Sequence, residues 1–254
     1  DLYNLDILDG SPPCSSFSMA GNREKDWGKK KVFREGQAEQ RLDDLFFDYI
    51  KLAKKLQPKV VIAENVKGML QGNAKSYVKR IKHEFEQAGY KVQLFLLNAA
   101  SMGVPQKRER VFFICQRNDL NYSELKLRFD ENVILYKDLK DNSLGKPITG
   151  EMLKYWELCP EGNALSKVHP KGNYFGSIKV SDNQVCNTII ASSSSPLLNN
   201  KKPHYLSDSE ICKIGTYPLD YNFKKIEPKY LIGMSVPPVM TAQIAHQIYL
   251  QWLK

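Results

Sequence analysis

The sequence predicts an α/β protein: a doubly wound, mainly parallel sheet together with a smaller, irregular and β-rich domain. Three observations lead to this fold class. In the first half of the chain, short β-branched runs alternate with segments of helical periodicity, as in parallel sheets whose strands are joined by helices. From about Asn118 to Asn222 this pattern loosens, and Lys, Asn, Ser, Gly and Pro become frequent. Helical spacing then returns near the carboxyl end with Met240, Ile244, Ile248 and Trp252.

The elements of the first half follow in order. A strand over residues 5–8 runs into a turn that contains Pro12 and Pro13. A helix comes next and is stopped by Pro58; its apolar face carries Leu42, Leu45, Phe46, Tyr49, Ala53 and Leu56. A buried strand over residues 60–63 has Glu64 at its carboxyl end. A second helix ends at Gly89, with Val78, Ile81, Phe85 and Ala88 on one face. Further strands are predicted over residues 92–97 and 111–115.

Composition excludes several classes of protein. The 254 residues are 42% hydrophobic and 26% charged, which is enough apolar material for a core and too little charge bias for disorder. No apolar run approaches the roughly 18 residues of a membrane span. Lys and Arg number 37 against 28 Asp and Glu, a net charge of +9 that suits a polyanionic partner such as nucleic acid.

The five cysteines predict neither a disulfide framework nor a zinc site. They are scattered and odd in number, and no CxxC pair or Cys/His cluster occurs. A reducing, cytoplasmic compartment fits this usage. Taken alone, each cysteine is expected to be a small buried hydrophobic residue.

Three segments carry residues that could do chemistry, and each has an ordinary structural explanation when taken singly. Cys14 follows two prolines and precedes small residues, which is also what a buried cysteine in a proline turn would show. Glu64 could be a solvated carboxylate. The run from Gln106 to Arg110 could be a charged turn.

Taken together and in order, these segments resemble the C5-cytosine methyltransferases over most of the chain. Residues 9–18, DGSPPCSSFS, resemble the family's nucleophile motif, and residues 64–66 its Glu-Asn-Val motif. Residues 98–110 contain Gln106, Arg108 and Arg110 at the spacing of its Gln-x-Arg-x-Arg motif. Residues 205–218 resemble the segment that closes the recognition domain, and residues 233–238, GMSVPP, resemble the motif that begins the last helix.

The resemblance implies a reaction and a set of roles. Carbon 5 of cytosine is a poor nucleophile until a thiolate adds at carbon 6, and Cys14 would supply that thiolate. Glu64 would act as acid near N3 and the amino group, with partial burial favouring the protonated form of its carboxyl. Arg110 would bind the ring carbonyl and Arg108 a phosphate. The other implied positions are Asn65, Gln106 and Ser18 for positioning the substrate, and Pro12, Ser235 and Val236 for binding S-adenosylmethionine. Asn65 is expected to fix the proline–cysteine loop rather than to touch substrate.

The expected partner is double-stranded DNA with the target base flipped out. The basic stretch over residues 23–34 would contact phosphates, and an irregular recognition domain would choose the sequence. The predicted division is a catalytic domain of residues 1–118 plus 227–254 and a target-recognition domain of residues 119–226. The implied fold is Rossmann-like. Ser15 and Met234 depart from the family, which commonly has Gln and Asn there; Met234 bears on a contact near the cofactor.

The family's glycine-rich cofactor motif precedes its nucleophile, and no Gly-x-Gly occurs in this chain. The first strands and most of the donor pocket are therefore expected outside this sequence, with a separate amino-terminal chain as one possible source. The primary interpretation is a cytoplasmic enzyme of a bacterial restriction–modification or phage type. Two alternatives remain open: a tRNA cytosine-5 methyltransferase, and a non-catalytic DNA-binding subunit of a split enzyme.

Overall fold

The computed structural model describes residues 3–13, 44–72 and 74–254. Within them, nine strands form: β1 (Ile7–Gly10), β2 (Val60–Val66), β3 (Tyr90–Asn98), β4 (Gln106–Lys107), β5 (Glu109–Arg117), β6 (Asn163–Ala164), β7 (Ile178–Lys179), β8 (Cys186–Asn187) and β9 (Leu197–Leu198). The α-helices of the same residues are α1 (Leu45–Leu56), α2 (Ala74–Gln87), α3 (Glu151–Leu158), α4 (Asp208–Gly215), α5 (Pro228–Met234) and α6 (Pro238–Ile248). None of the helices in these ranges is long and apolar enough to span a membrane.

The chain divides into two compact units. The first comprises Asp1–Leu97, Glu109–Leu127 and Ile248–Lys254, and the second Asn98–Arg108 and Arg128–Gln247. These units are defined by contacts rather than by function. The division into a catalytic domain and a recognition domain therefore stays a prediction.

The first unit is built on a four-stranded sheet in the order β1-β2-β5-β3. β1 and β2 are parallel, with Ile7 opposite Val60. β5 is antiparallel to β2, with Val66 opposite Arg110. β5 is thus an antiparallel strand that the sequence does not predict, within the α/β fold class that it does predict. The difference arises after β3, because residues 99–108 hold no crossover helix of the dozen or more residues that a parallel return requires.

Helices α1 and α2 cover one face of this sheet and form its core. Phe46 is fully buried and makes edge-to-face contacts with Phe85, at 6.4 Å between ring centroids, and with Phe113, at 5.5 Å. Burying one such ring contributes about 1.5–3 kcal/mol. α1 ends at Gln57, which adopts a left-handed φ of 49° immediately before Pro58. The predicted helix stop is thus confirmed.

The second unit is irregular. The five strands described in it are each two residues long: β4, β6, β7, β8 and β9. A capping box begins α4, where Ser207 and Glu210 satisfy each other's backbone N–H. Glu210 also accepts a hydrogen bond of 2.7 Å from the Tyr136 hydroxyl. Residues 192–195 lie between β8 and β9, outside any strand or helix, as the sequence predicts.

Four of the five cysteines lie in the described residues and all are buried free thiols: Cys115, Cys159, Cys186 and Cys212. For these four, the prediction of small buried hydrophobic residues is confirmed. Burial raises the pKa of each thiol, that of Cys186 to about 12. A thiol in such surroundings is a poor nucleophile.

Candidate active site

Glu64 and Arg110 form an ion pair within the first unit. Arg110 Nε lies 2.8 Å from Glu64 Oε1, and the two side chains are only 15% and 12% exposed. The sequence places Glu64 just beyond a strand, and this placement is wrong. β2 continues to Val66 because its pairing with β5 extends as far as Arg110. Glu64 therefore projects from a fixed strand rather than from a loop.

The electrostatics of the pair favour charge on both partners. Burial lowers the pKa of Arg110, and the neighbouring Glu64 carboxylate opposes that shift. In return, a guanidinium at this distance favours the ionised carboxylate, which works against the protonated form expected for Glu64. The pair presents a hydrogen-bond acceptor beside a donor, an arrangement that complements the amino group and carbonyl of a planar heterocycle.

Asn65 ties β2 to the segment that follows β1. Its Nδ2 donates to the carbonyl of Pro12 at 3.0 Å, and its Oδ1 accepts from the backbone N–H of Val66 at 2.9 Å. The side chain is buried. This is the contact expected of a residue that fixes the proline–cysteine loop. Cys14 and Ser18 themselves, and the basic stretch over residues 23–34, lie outside the described residues.

Tyr49 contacts both of the strands that carry this site. The sequence alone places it only on the apolar face of a helix. Its hydroxyl lies 3.0 Å from the carbonyl of Leu8 and 2.8 Å from that of Ile62, on the adjacent strands β1 and β2. Burial raises the pKa of Tyr49, so its hydroxyl stays neutral and can donate. A Cβ on Gly10 would lie 2.5 Å from the Tyr49 ring. Glycine therefore permits this close approach.

Gln106 and Arg108 lie in the second unit, and both side chains are committed to its backbone. Arg108 is 2% exposed and donates to the carbonyls of Ile189, at 3.1 Å, and Gly233, at 3.0 Å. Gln106 donates to the carbonyl of Ile214 and accepts from the N–H of Ile189. The phosphate contact of Arg108 stays a prediction, and the burial of this guanidinium on two carbonyls argues against it. Gln106 likewise positions backbone in this structure rather than substrate.

Two of the three residues predicted to bind S-adenosylmethionine, Pro12 and Ser235, make hydrogen bonds within the protein. Pro12, in the first unit, is buried and accepts from Asn65. In the second unit, the Ser235 hydroxyl accepts from Tyr217 at 2.8 Å and donates to the carbonyl of Ile232 at 3.0 Å. Val236 is half-buried. Pro12 and Ser235 thus use polar groups for contacts within the protein, and their part in binding the methyl donor stays a prediction.

Comparison with solved structures shows the class of fold. A prophage-encoded protein of Escherichia coli, described as a DNA modification methyltransferase, superposes with a TM-score of 0.69 at 17% identity, covering 98% of this chain and 80% of that one. The DNMT2 of Spodoptera frugiperda superposes with a TM-score of 0.62 at 15% identity, covering 96% and 79%. The fold is the Rossmann-like fold of these methyltransferases.

Sequence comparison shows the family. The model of the C-5 cytosine-specific DNA methylases matches residues 1–250, and the chain belongs to that family. Type II methyltransferase M.FnuDI of Fusobacterium nucleatum is 42% identical over 151 residues, which are 57% of this chain and 40% of that protein. Type II methyltransferase M.AplI of Arthrospira platensis is 29% identical over 259 residues, 98% of this chain and 70% of that protein. The chain thus spans less than half the length of M.FnuDI.

Proposed function

We propose that this chain carries the base-binding and recognition parts of a DNA (cytosine-5) methyltransferase that acts on duplex DNA. The observation that supports it most strongly is the Glu64–Arg110 pair, which is partly buried and held by strand register. Family membership supplies the reaction, and S-adenosylmethionine would supply the methyl group when bound. The bacterial or phage origin and cytoplasmic location belong to the same proposal and are supported by the bacterial relatives.

The proposed chemistry begins with Cys14. Its thiolate adds to carbon 6 of a flipped cytosine, which makes carbon 5 nucleophilic enough to accept a methyl group. Glu64 and Arg110 hold the edge of the ring. Arg110 donates to the carbonyl, and Glu64, once it has taken up a proton, donates that proton to N3 while its other oxygen accepts from the amino group. Asn65 orients the backbone of Pro12, two residues before the nucleophile. A base then removes the carbon 5 proton, the electron pair of that bond re-forms the 5,6 double bond as the Cys14 thiolate leaves carbon 6, and N3 returns its proton to Glu64.

Trapping on a fluorinated base tests this proposal. The full-length enzyme, supplied with S-adenosylmethionine, should form a stable adduct with duplex DNA carrying 5-fluorocytosine, because fluorine does not leave as a proton does. Peptide mass spectrometry should place the adduct on Cys14, and Cys14→Ser should abolish it. Cys212→Ala is the matched control, since Cys212 is buried with a raised pKa and should not affect trapping.

Three other results would contradict the proposal. An adduct on another residue would remove Cys14 from the reaction. Methylation of tRNA but not of duplex DNA would establish the RNA alternative. Tight duplex binding without adduct or methyl transfer would indicate a non-catalytic subunit. A separate chain as the source of the amino-terminal motifs finds no support in the comparisons, and we do not propose it.

A further inference from the structure

A turn in the second unit closes on the side chain of a buried histidine. His169 Nδ1 accepts from the backbone N–H of Lys171 at 3.0 Å and from that of Asn173 at 3.3 Å. The carbonyl of His169 accepts from the N–H of Gly172 at 2.9 Å. Residues 169–174 are here called the His169 turn. One residue thus supplies the ring nitrogen and the carbonyl on which the turn closes.

The contacts of His169 define where its proton lies. In a neutral imidazole one nitrogen donates and the other accepts. Because Nδ1 accepts from two N–H groups, the proton is on Nε2. This nitrogen is buried and has no hydrogen-bond partner in the part of the chain that the structure describes. Glu151 Oε1 lies 3.7 Å away, beyond hydrogen-bond distance. The closed turn therefore requires a neutral His169.

A second proton on the ring is incompatible with the closed turn. It would bind Nδ1 and point a third N–H at the N–H groups of Lys171 and Asn173, none of which can accept. The His169 side chain is only 4% exposed, so the imidazolium would also lack hydration. Opening the turn releases both backbone N–H groups and the ring to water. The proton is thus taken up by the open form.

The backbone of Tyr174 also favours opening. Its φ is +63°, in the left-handed region that side chains other than Gly, Asn and Asp rarely adopt. The Tyr174 hydroxyl donates to Glu151 Oε2 at 3.3 Å, which helps to hold the residue there. Once the two N–H contacts to His169 are lost, Tyr174 can return to an ordinary backbone conformation. The closed turn therefore stores strain that its opening releases.

The ionisable groups around the ring leave this balance in favour of opening. The rings of Tyr155 on α3 and Tyr174 lie 4.5 and 5.5 Å from that of His169. Burial and the nearby Glu151 carboxylate raise the pKa of both tyrosines, so they stay neutral. Lys154 Nζ lies farther out, 6.0 Å from the Tyr155 centroid. Glu151 favours a charged ring, but its side chain is 60% exposed and water screens it, whereas the N–H contacts are direct.

We propose that His169 is a pH-sensitive switch of the His169 turn. The neutral ring holds the turn closed, one proton from solvent on Nδ1 opens it, and loss of that proton closes it again. Histidine is the side chain that ordinarily changes charge between pH 5 and 8. Phe175 follows the turn directly and is 82% exposed, so the surface around this ring changes with pH. The inference does not depend on the proposed function.

Hydrogen exchange in the full-length protein tests the switch. The measured quantity is the protection factor of the peptide that covers residues 169–175, which removes the direct effect of pH on exchange. A histidine in water titrates near pH 6.5. If the proton binds the open form alone, protection should fall about tenfold between pH 7.5 and pH 5.5. Protection of α4 (Asp208–Gly215) in the same unit should stay constant to within about twofold.

Two substitutions at His169 separate the acceptor from the proton. His169→Asn places Oδ1 where Nδ1 lies, so it should keep high protection that varies less than about twofold over this pH range. His169→Phe keeps a ring beside Tyr155 but removes the acceptor, so protection should be low at both pH values. His83→Asn is the matched control, because His83 is exposed on α2 of the first unit, and it should show the parental tenfold fall.

Four results would overturn the inference. Constant protection in the parent would mean that the turn does not respond to pH. An equal fall in the parent and in His169→Asn would assign the response to another group. High protection in His169→Phe would show that Nδ1 does not hold the turn. A matching fall in α4 would show a general loosening of the unit rather than a local switch.

Discussion

Arg110 stands opposite Val66 in the sheet and reaches Glu64 diagonally, two residues back along β2, with 2.8 Å between Nε and Oε1. A shift of one residue in the pairing of β2 with β5 would move Arg110 to the other face of the sheet, which α1 and α2 cover. The register that builds the core therefore also builds the charge pair. The two side chains are in place before any substrate binds.

Glu64→Gln should reduce single-turnover methylation by about a hundredfold or more, the usual scale for a positioned acid or base. The amide keeps the shape of the side chain but neither its charge nor its ability to exchange a proton. Affinity for duplex DNA should change by less than about threefold. Glu109→Gln is the control, since Glu109 is a more exposed neighbour that pairs with Lys67. Parental turnover in Glu64→Gln would remove this residue from the chemistry.

Asn65→Ala should lower the free energy of unfolding by about 1–3 kcal/mol, because the Pro12 carbonyl and the Val66 N–H both lose a partner. It should also slow adduct formation with 5-fluorocytosine, since the segment before Cys14 is no longer held. Urea unfolding and the rate of trapping measure the two effects. Asn142→Ala, at an exposed position, should change neither. A loss of stability with unchanged trapping would show that Asn65 does not position the nucleophile.

Gly10→Ala should destabilise the protein by about 1–3 kcal/mol, because the added methyl group meets the Tyr49 ring. Tyr49→Phe should not relieve this strain, as the ring remains. Tyr49→Leu should relieve part of it at the cost of the hydroxyl contacts. A double-mutant cycle on thermal unfolding would measure the coupling. Additive effects of Gly10→Ala and Tyr49→Leu would mean that the two residues do not constrain each other.

Arg108→Ala should lower the free energy of unfolding by about 3 kcal/mol or more, since a charged donor to the carbonyls of Ile189 and Gly233 is lost. The salt slope of DNA binding should stay at the parental value, because the guanidinium is buried. Lys107→Ala, at the exposed neighbouring position, should leave stability unchanged. A salt slope that falls by about one in Arg108→Ala would instead restore the phosphate contact.

Asp141 should make stability depend on pH in the acid range. Burial alone would raise its pKa, but hydrogen bonds from Lys213, Ser143 and Ser209 lower the pKa below the ordinary value of 3.8. The folded state therefore binds the proton more weakly than the unfolded state. The stabilisation is complete above the ordinary pKa of 3.8 and is lost as the pH falls toward the lower pKa of the folded state. Asp141→Asn should be less stable than the parent near neutral pH, and thermal unfolding should show this difference shrinking below about pH 4. A constant difference would contradict the assignment.

The elements that the sequence predicts correctly are those whose signal is local. The β-branched run at residues 60–63 predicts a strand, and β2 lies there. Pro58 predicts the end of a helix, and α1 ends just before it. Asn65 donates to the Pro12 carbonyl, which agrees with the loop-fixing role that stays a prediction. Local patterns also predicted the serine-rich loop.

The features that escaped prediction depend on distant partners. The burial of Arg108 depends on carbonyls 81 and 125 residues away, and charged side chains are ordinarily exposed. The antiparallel direction of β5 depends on how the chain returns after β3. Tyr49 looks apolar in a helical pattern, and only the carbonyls of Leu8 and Ile62 show why it carries a hydroxyl. A tyrosine on an otherwise apolar helix face is the one signal that the sequence offers.

The loop of residues 189–195 has a base that is held by other segments of the second unit and a tip that is exposed. Arg108, Gln106, Gly233 and Lys229 bind at Ile189 to Ser192, whereas Ser193 and Ser194 are exposed beyond these contacts. Substitutions at the two tip positions can therefore accumulate without disturbing the fold.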